Sequence, residues 1–192
     1  MTLEHIITTS ITLDYQAGEW GVDRIALDGV QNHLPSDSGG SKLSVEFEVD
    51  GKWIPFERRH SINPSKVAAI RFIDDGKGFS YELLELLYST KSGTDTVGEF
   101  GEGLKMLSAA ALRKGIDMEI WSRDWMAKPV VVNRQIEARH IGQLAYNVYT
   151  GYDRRKGSMT VFRKPTADFI NYVMALDEKV LLLNPHVRPL FK

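Results

Sequence analysis

The sequence predicts an α+β fold, a mixed, mostly antiparallel sheet carrying helices on one face. Three stretches lead there. Leu43-Ser-Val-Glu-Phe-Glu-Val49 alternates apolar and polar residues, Asp50-Gly51 is a two-residue hairpin signal, and Lys52-Trp-Ile-Pro-Phe56 returns. Val67-Ala-Ala-Ile-Arg-Phe-Ile-Asp74 is an apolar run that stops at a carboxylate and a glycine turn, as a core strand does. Leu104 to Leu112 has the composition of a buried helix and follows directly on a glycine-rich loop.

The remaining elements follow in chain order. Ile6 to Tyr15, rich in Ile and Thr, reads as a first strand, with Gln16 to Glu19 as the turn out of it. Trp20 introduces a helix whose apolar residues Ile25, Val30 and Leu34 have helical spacing, and Pro35 with Gly39-Gly40 ends it. Arg58-Arg59-His60 reads as a short solvated charge run at a strand end. Tyr81 to Tyr88 is leucine-rich and helical in propensity, its leucines expected to lie beneath the loop that follows. Gly115 caps the Leu104 helix, and Asp117 to Arg123 alternates as a strand. Val130 to Val132, Leu144 to Thr150 and Val161-Phe162 are further strands, Ala167 to Leu176 a helix, and Asn184-Pro185 a turn after the apolar Val180 to Leu183.

Composition narrows the function classes. At 192 residues, 43% apolar and 26% charged, the chain has the profile of one soluble globular domain spanning 1–192. A net charge of −1 and a pI near 6.5 supply no basic field for sequence-independent nucleic-acid binding. There is no cysteine, and therefore no disulfide framework and no thiolate metal site. The N-terminus has no basic region followed by a long apolar run, and eighteen uninterrupted apolar residues occur nowhere, so the expectation is a cytoplasmic protein. Without repeats or low-complexity tracts, the chain reads as a free-standing module or the front part of a longer protein.

The residues that carry chemistry cluster in four places. Asp74-Asp75-Gly76-Lys77-Gly78 puts a carboxylate at a strand end before two glycines, which let a backbone approach a flat ligand closely. The same carboxylate could instead be an Asx cap on its own turn. Ser89-Thr-Lys-Ser-Gly-Thr-Asp-Thr-Val-Gly98-Glu-Phe-Gly101-Glu-Gly103-Leu104-Lys105 is a polar loop whose glycines lead into a helix N-terminus, an arrangement suited to phosphate. Upstream, Asp28 and Asn32 are four apart, so a helix puts carboxylate and amide on one face. Asn32 could equally be a helix C-terminal residue. Downstream, Lys156-Gly157-Ser158 opens a strand with a glycine and a hydroxyl. His33, His60 and His140 lack a metal-ligand spacing and read as structural, with no zinc expected.

Taken in this order, the four elements resemble the GHKL superfamily, the Bergerat-fold ATPases that include gyrase, Hsp90, sensor histidine kinases and MutL. The resemblance spans about Val22 to Phe162. It implies a two-layer α+β sandwich of the Hsp90 N-terminal type that takes ATP and Mg²⁺. By position it makes Asp28 the residue that activates the hydrolytic water and Asn32 the Mg²⁺ ligand. Asp74 becomes the acceptor of the adenine amino group, with Gly76 and Gly78 beside the base. The resemblance implies a glycine lid of Gly98, Gly101 and Gly103 over the triphosphate, with Leu104 and Lys105 following and Ser158 contributing late in the chain. Lys105 reads equally as a γ-phosphate contact or a solvated surface lysine.

This chain departs from the family at two positions, with Asp28 where the family's ATPases usually carry glutamate and Pro35 where an aspartate often follows the asparagine. Asp37 is a candidate substitute. Two functions therefore stand side by side: a Mg-ATP hydrolysing switch whose lid changes a contact with a partner protein or following domain, and an ATP-binding module that does not hydrolyse. A nucleotide-dependent dimer is a further expectation. A histidine kinase fits less well, because only twenty or so residues precede the first motif. In the gyrase and MutL branches a following domain supplies a lysine to the γ-phosphate, and no such domain is expected within residues 1–192.

Overall fold

The computed structural model describes residues 2–15, 20–34, 42–86, 102–180 and 183. Eight strands form one sheet: β1 (Thr2–Thr12), β2 (Leu43–Val49), β3 (Lys52–Pro55), β4 (Val67–Asp74), β5 (Asp117–Ser122), β6 (Trp125–Ile136), β7 (Arg139–Thr150) and β8 (Ser158–Arg163). Their order across the sheet is β1-β7-β6-β5-β8-β4-β2-β3. Every pairing is antiparallel, so the parallel component that a mixed sheet requires is absent among the described strands. Three helices, α1 (Val22–Asn32), α2 (Gly103–Arg113) and α3 (Ala167–Met174), complete an α+β architecture in which α1 touches both α2 and α3.

Local chemistry sets the turns. Asp50 and Gly51 both have positive φ, 50° and 75°, the twist that joins β2 to β3 in a two-residue hairpin. Helix α2 ends at Arg113 and is closed by Gly115, φ 68°, where the Gly115 N–H bonds the Leu112 carbonyl and the Ile116 N–H reaches back to the Ala111 carbonyl at 2.9 Å. These two bonds satisfy carbonyls that the helix end would otherwise leave open. Helix α3 is capped by Thr166, whose hydroxyl accepts from the Phe169 N–H.

The core lies between the helices and one face of the sheet. Ile25 and Val30 of α1, Met106 and Leu107 of α2, and Phe169 and Val173 of α3 are buried with Phe47, Ile70, Phe72, Phe162, Tyr146 and Val148 of the strands. Gly29 brings α1 close to the sheet: a Cβ there would meet the Phe72 ring at 3.4 Å. Phe162 meets Phe72 and Phe169 edge-on at centroid separations of 5.8 and 5.0 Å. The other face is a ladder of charge, in which Arg71 pairs with Glu46 and stacks over Trp53, while Arg163 joins Glu119 to Glu48. Alternation along β4 therefore separates Ile70 and Phe72, turned to the helices, from Arg71 on the opposite face.

Several expectations are corrected. The first strand starts at Thr2 and ends at Thr12, before Tyr15. The two short strands expected at 130–132 and 144–150 are parts of one long hairpin of two twelve-residue strands, β6 and β7, paired from Trp125↔Thr150 to Ile136↔Arg139. Pro129 disguised it, but the proline is tolerated because pairing of β6 with β5 ends at Ala127. Arg59 is not solvated. It sits in a 3-10 turn (Phe56–Ser61), 8% exposed, donating to the Met174 carbonyl at 2.8 Å and to the Asp177 carboxylate. Tyr81–Leu84 is a 3-10 turn in which Leu84 is buried, and Leu86 is exposed. Pro35, Asp37, Gly98, Gly101 and Asn184-Pro185 lie outside the described residues, as does most of the glycine loop.

Candidate functional site

Helix α1 carries one end of the site. Its polar face would be solvated in an isolated helix, but Asp28 is only 4% exposed because the first turn of α2 lies against it. A Cβ on Gly103 would sit 3.6 Å from Asn32 Oδ1 and 3.8 Å from Asp28 Oδ2. Carboxylate, amide and helix start therefore meet, as the four-residue spacing on α1 requires. The N-cap residue of α2, Glu102, makes no side-chain cap bond, and the first bond into the helix runs from Met106 N–H to the Glu102 carbonyl at 2.9 Å. The N–H groups before Met106 point out of the helix, carrying the positive end of its dipole.

Burial pushes the Asp28 carboxyl above its ordinary value, and the Arg24 guanidinium, 3.3 Å away, draws it part of the way back. The Asn32 amide nitrogen is buried with no hydrogen-bond partner among the described residues. An orphaned amide and a buried carboxylate beside a helix N-terminus suit an anionic phosphate and a hydrated cation. Leu104 is partly buried, and its carbonyl accepts from the Ser108 hydroxyl at 2.7 Å. Lys105 is 3% exposed, which rules out the solvated reading, and its ammonium donates to the carbonyls of Leu83 and Leu86. Burial lowers that ammonium to about 8, against the opposing pull of Glu102.

Asp74 stands at the other end, where β4 stops. Its Oδ1 accepts from the Gly76 N–H at 2.9 Å and the Ser158 N–H at 3.2 Å, while Oδ2 meets His33 Nδ1 at 2.7 Å. Burial pushes this carboxyl up, but the His33 ring and the two backbone donors together outweigh it and hold the group below its ordinary value. The Asx turn expected as the modest role for Asp74 is thus present, and 13% of the side chain stays exposed. Ser158 serves Asp74 through its N–H, and its hydroxyl lies 3.4 Å from that of Ser122.

The glycines around Asp74 are required by close approach. Gly78 has φ 66°, and a Cβ there would lie 2.6 Å from Ser122 Oγ and 3.0 Å from the Gly157 carbonyl. A Cβ on Gly76 would lie 3.0 Å from Asp74 Oδ1. Ser122, fully buried, also accepts from the Phe79 N–H at 2.9 Å, fixing the chain after the turn.

The two ends are joined by adjacent residues: Asn32 faces α2 and His33 binds Asp74. The structure thus brings together Asp28, Asn32, Gly103 and the start of α2 at one end, and Asp74, Gly76, Gly78 and Ser158 at the other. The sequence marks His33 as structural but does not tie it to Asp74, and it gives no sign of Ser122 or of Thr160, whose hydroxyl lies 2.9 Å from His33 Nε2. No local spacing marks them, because their partners come from other elements. No protein-family model and no curated protein matches this chain.

Proposed function

We propose that the chain is an ATP-binding domain of the GHKL type, with an Hsp90-like sandwich, that binds and slowly hydrolyses Mg-ATP and passes the change to a partner protein, a following domain or a second copy. One observation carries the reading: Gly103 at the start of α2 lies against Asp28 and Asn32, while His33, next along α1, holds Asp74. A nucleotide spanning these points would place its base amino group at Asp74 and its phosphates at the N-terminus of α2. Asn32 would hold Mg²⁺, which supplies charge neutralisation on the phosphates. Among the described residues no three or more His, Asp or Glu side chains gather into a metal cluster, so the ion would draw its other ligands from phosphate oxygens and water. Asp28, kept partly out of water, would orient the attacking water and accept its proton.

A second reading, a nucleotide switch without turnover, draws support from the Arg24 guanidinium 3.3 Å from Asp28. An arginine on that oxygen competes with a water for it, and aspartate reaches one methylene less far than glutamate. Steady-state ATP hydrolysis separates the two. The hydrolysing reading expects slow turnover that Asp28→Asn abolishes and Asp28→Glu preserves or raises. A rate at background that neither substitution changes, with ATP still bound, leaves the non-hydrolysing switch.

A further inference from the structure

His33 is 3% exposed, yet both ring nitrogens are engaged, Nδ1 with Asp74 Oδ2 at 2.7 Å and Nε2 with Thr160 Oγ1 at 2.9 Å. A carboxylate only accepts, so Nδ1 carries a proton and donates. The Thr160 hydroxyl can turn to suit Nε2, which leaves the ring orientation set from both sides. An ionised carboxylate has about four acceptor positions. Two on Oδ1 are filled by the Gly76 and Ser158 N–H groups, and His33 fills one on Oδ2. Among the described residues one remains, on a side chain that keeps 13% exposure.

We propose that His33 is a specificity-determining positioning residue: by filling one acceptor position of Asp74 it leaves a single one, which selects a purine with an amino group at position 6 over one with an oxo group. The inference rests on the ATP-binding reading and adds the residue that sets base preference. An amino group donates to the remaining position, whereas an oxo group would face the carboxylate oxygen to oxygen. Without His33, water enters beside Oδ2. Water can donate to an oxo group as readily as it accepts from an amino group, so the preference is lost.

Calorimetric titration of the full chain with ATP and with inosine triphosphate, both with Mg²⁺, reads this directly. The unsubstituted chain is expected to favour ATP by at least about tenfold. His33→Ala should bring the two affinities within about threefold of each other by weakening ATP alone, and Thr160→Val should move the ratio the same way by less. A purely structural role would weaken both nucleotides in parallel and leave the ratio unchanged, which overturns the proposal. Should His33→Ala fail to fold, Thr160→Val and nitrogen-15 NMR of the unsubstituted chain still decide: a His33 ring lacking a proton on Nδ1 contradicts the assignment. If neither nucleotide binds the folded chain, the ATP reading falls and this inference with it. If ATP binds but the ratio ignores both substitutions, only the inference falls.

Discussion

A Cβ added to Gly157 would lie 1.9 Å from the Asp74 carbonyl oxygen, and Gly157 has φ 70°. The loop before β8 is therefore pressed against the end of β4, and this contact delivers the Ser158 N–H to the Asp74 carboxylate. Gly157→Ala must move backbone against backbone while also holding a conformation that costs an alanine about 1–2 kcal/mol. The expected loss is about 3 kcal/mol or more, measured as a shift of the urea midpoint. A loss under about 1 kcal/mol would mean that the two segments separate easily.

Asp28 should limit stability. Its raised value means that the folded chain holds this proton more tightly than the unfolded chain does. The contribution is full below the ordinary value of 3.8 and is lost as pH rises through the folded value. Asp28→Asn is therefore expected to stabilise the chain by about 1 kcal/mol at pH 7 and by little at pH 3. Denaturant titrations at the two pH values check the sign. Destabilisation at pH 7 would show that the Arg24 pair outweighs the cost of burial.

Asp74 has the opposite sign. Its depressed value gives stability that is present above 3.8 and lost as pH falls through the folded value. Asp74→Asn should cost about 1–3 kcal/mol at pH 7 and flatten the acid limb of the stability profile. An unchanged acid limb would place the acid sensitivity elsewhere.

Arg59 ties the turn after β3 to the end of α3, and its guanidinium lies 4.3 Å over the Phe56 ring. Arg59→Ala strips donors from the Met174 carbonyl and the Asp177 carboxylate together, at an expected cost of about 2–4 kcal/mol. Asp177→Ala should cost less, because it leaves the bonds from Arg59 to Met174 and Phe56 in place. Comparison of the two melting temperatures tests the ranking.

Gly29 is open to improvement. A Cβ there meets the Phe72 ring at ordinary contact distance, 3.4 Å, and alanine is the better helix former by about 1 kcal/mol. Gly29→Ala should raise the melting temperature, whereas Gly29→Leu should lower it by overfilling the space against Phe72.

Features encoded in neighbouring residues were legible from the sequence. The 43–55 hairpin follows from alternation and one dipeptide, and the pairing of Asp28 with Asn32 follows from helical spacing. Asp74, Gly76 and Gly78 announce a turn by type alone. Contacts between distant segments left no such trace. His33 is fixed by partners 41 and 127 residues away, and Arg59 by partners 115 and 118 away, so each looked like an isolated polar residue. The long β6–β7 hairpin was hidden because Pro129 and the polar run Asn133-Arg134-Gln135 break the apolar pattern, although edgewise exposure lets a strand carry both.

Whether Asp28, Asn32, Asp74 and the start of α2 form a nucleotide site is decided by calorimetric titration of the full chain with a non-hydrolysable ATP analogue and Mg²⁺. Saturable binding is expected at or below millimolar concentration, weakened by Asp74→Asn about tenfold or more and largely kept by Asp28→Asn. A folded chain that gives neither heat nor thermal stabilisation with the analogue, or that binds it equally well without the Asp74 carboxylate, would contradict it.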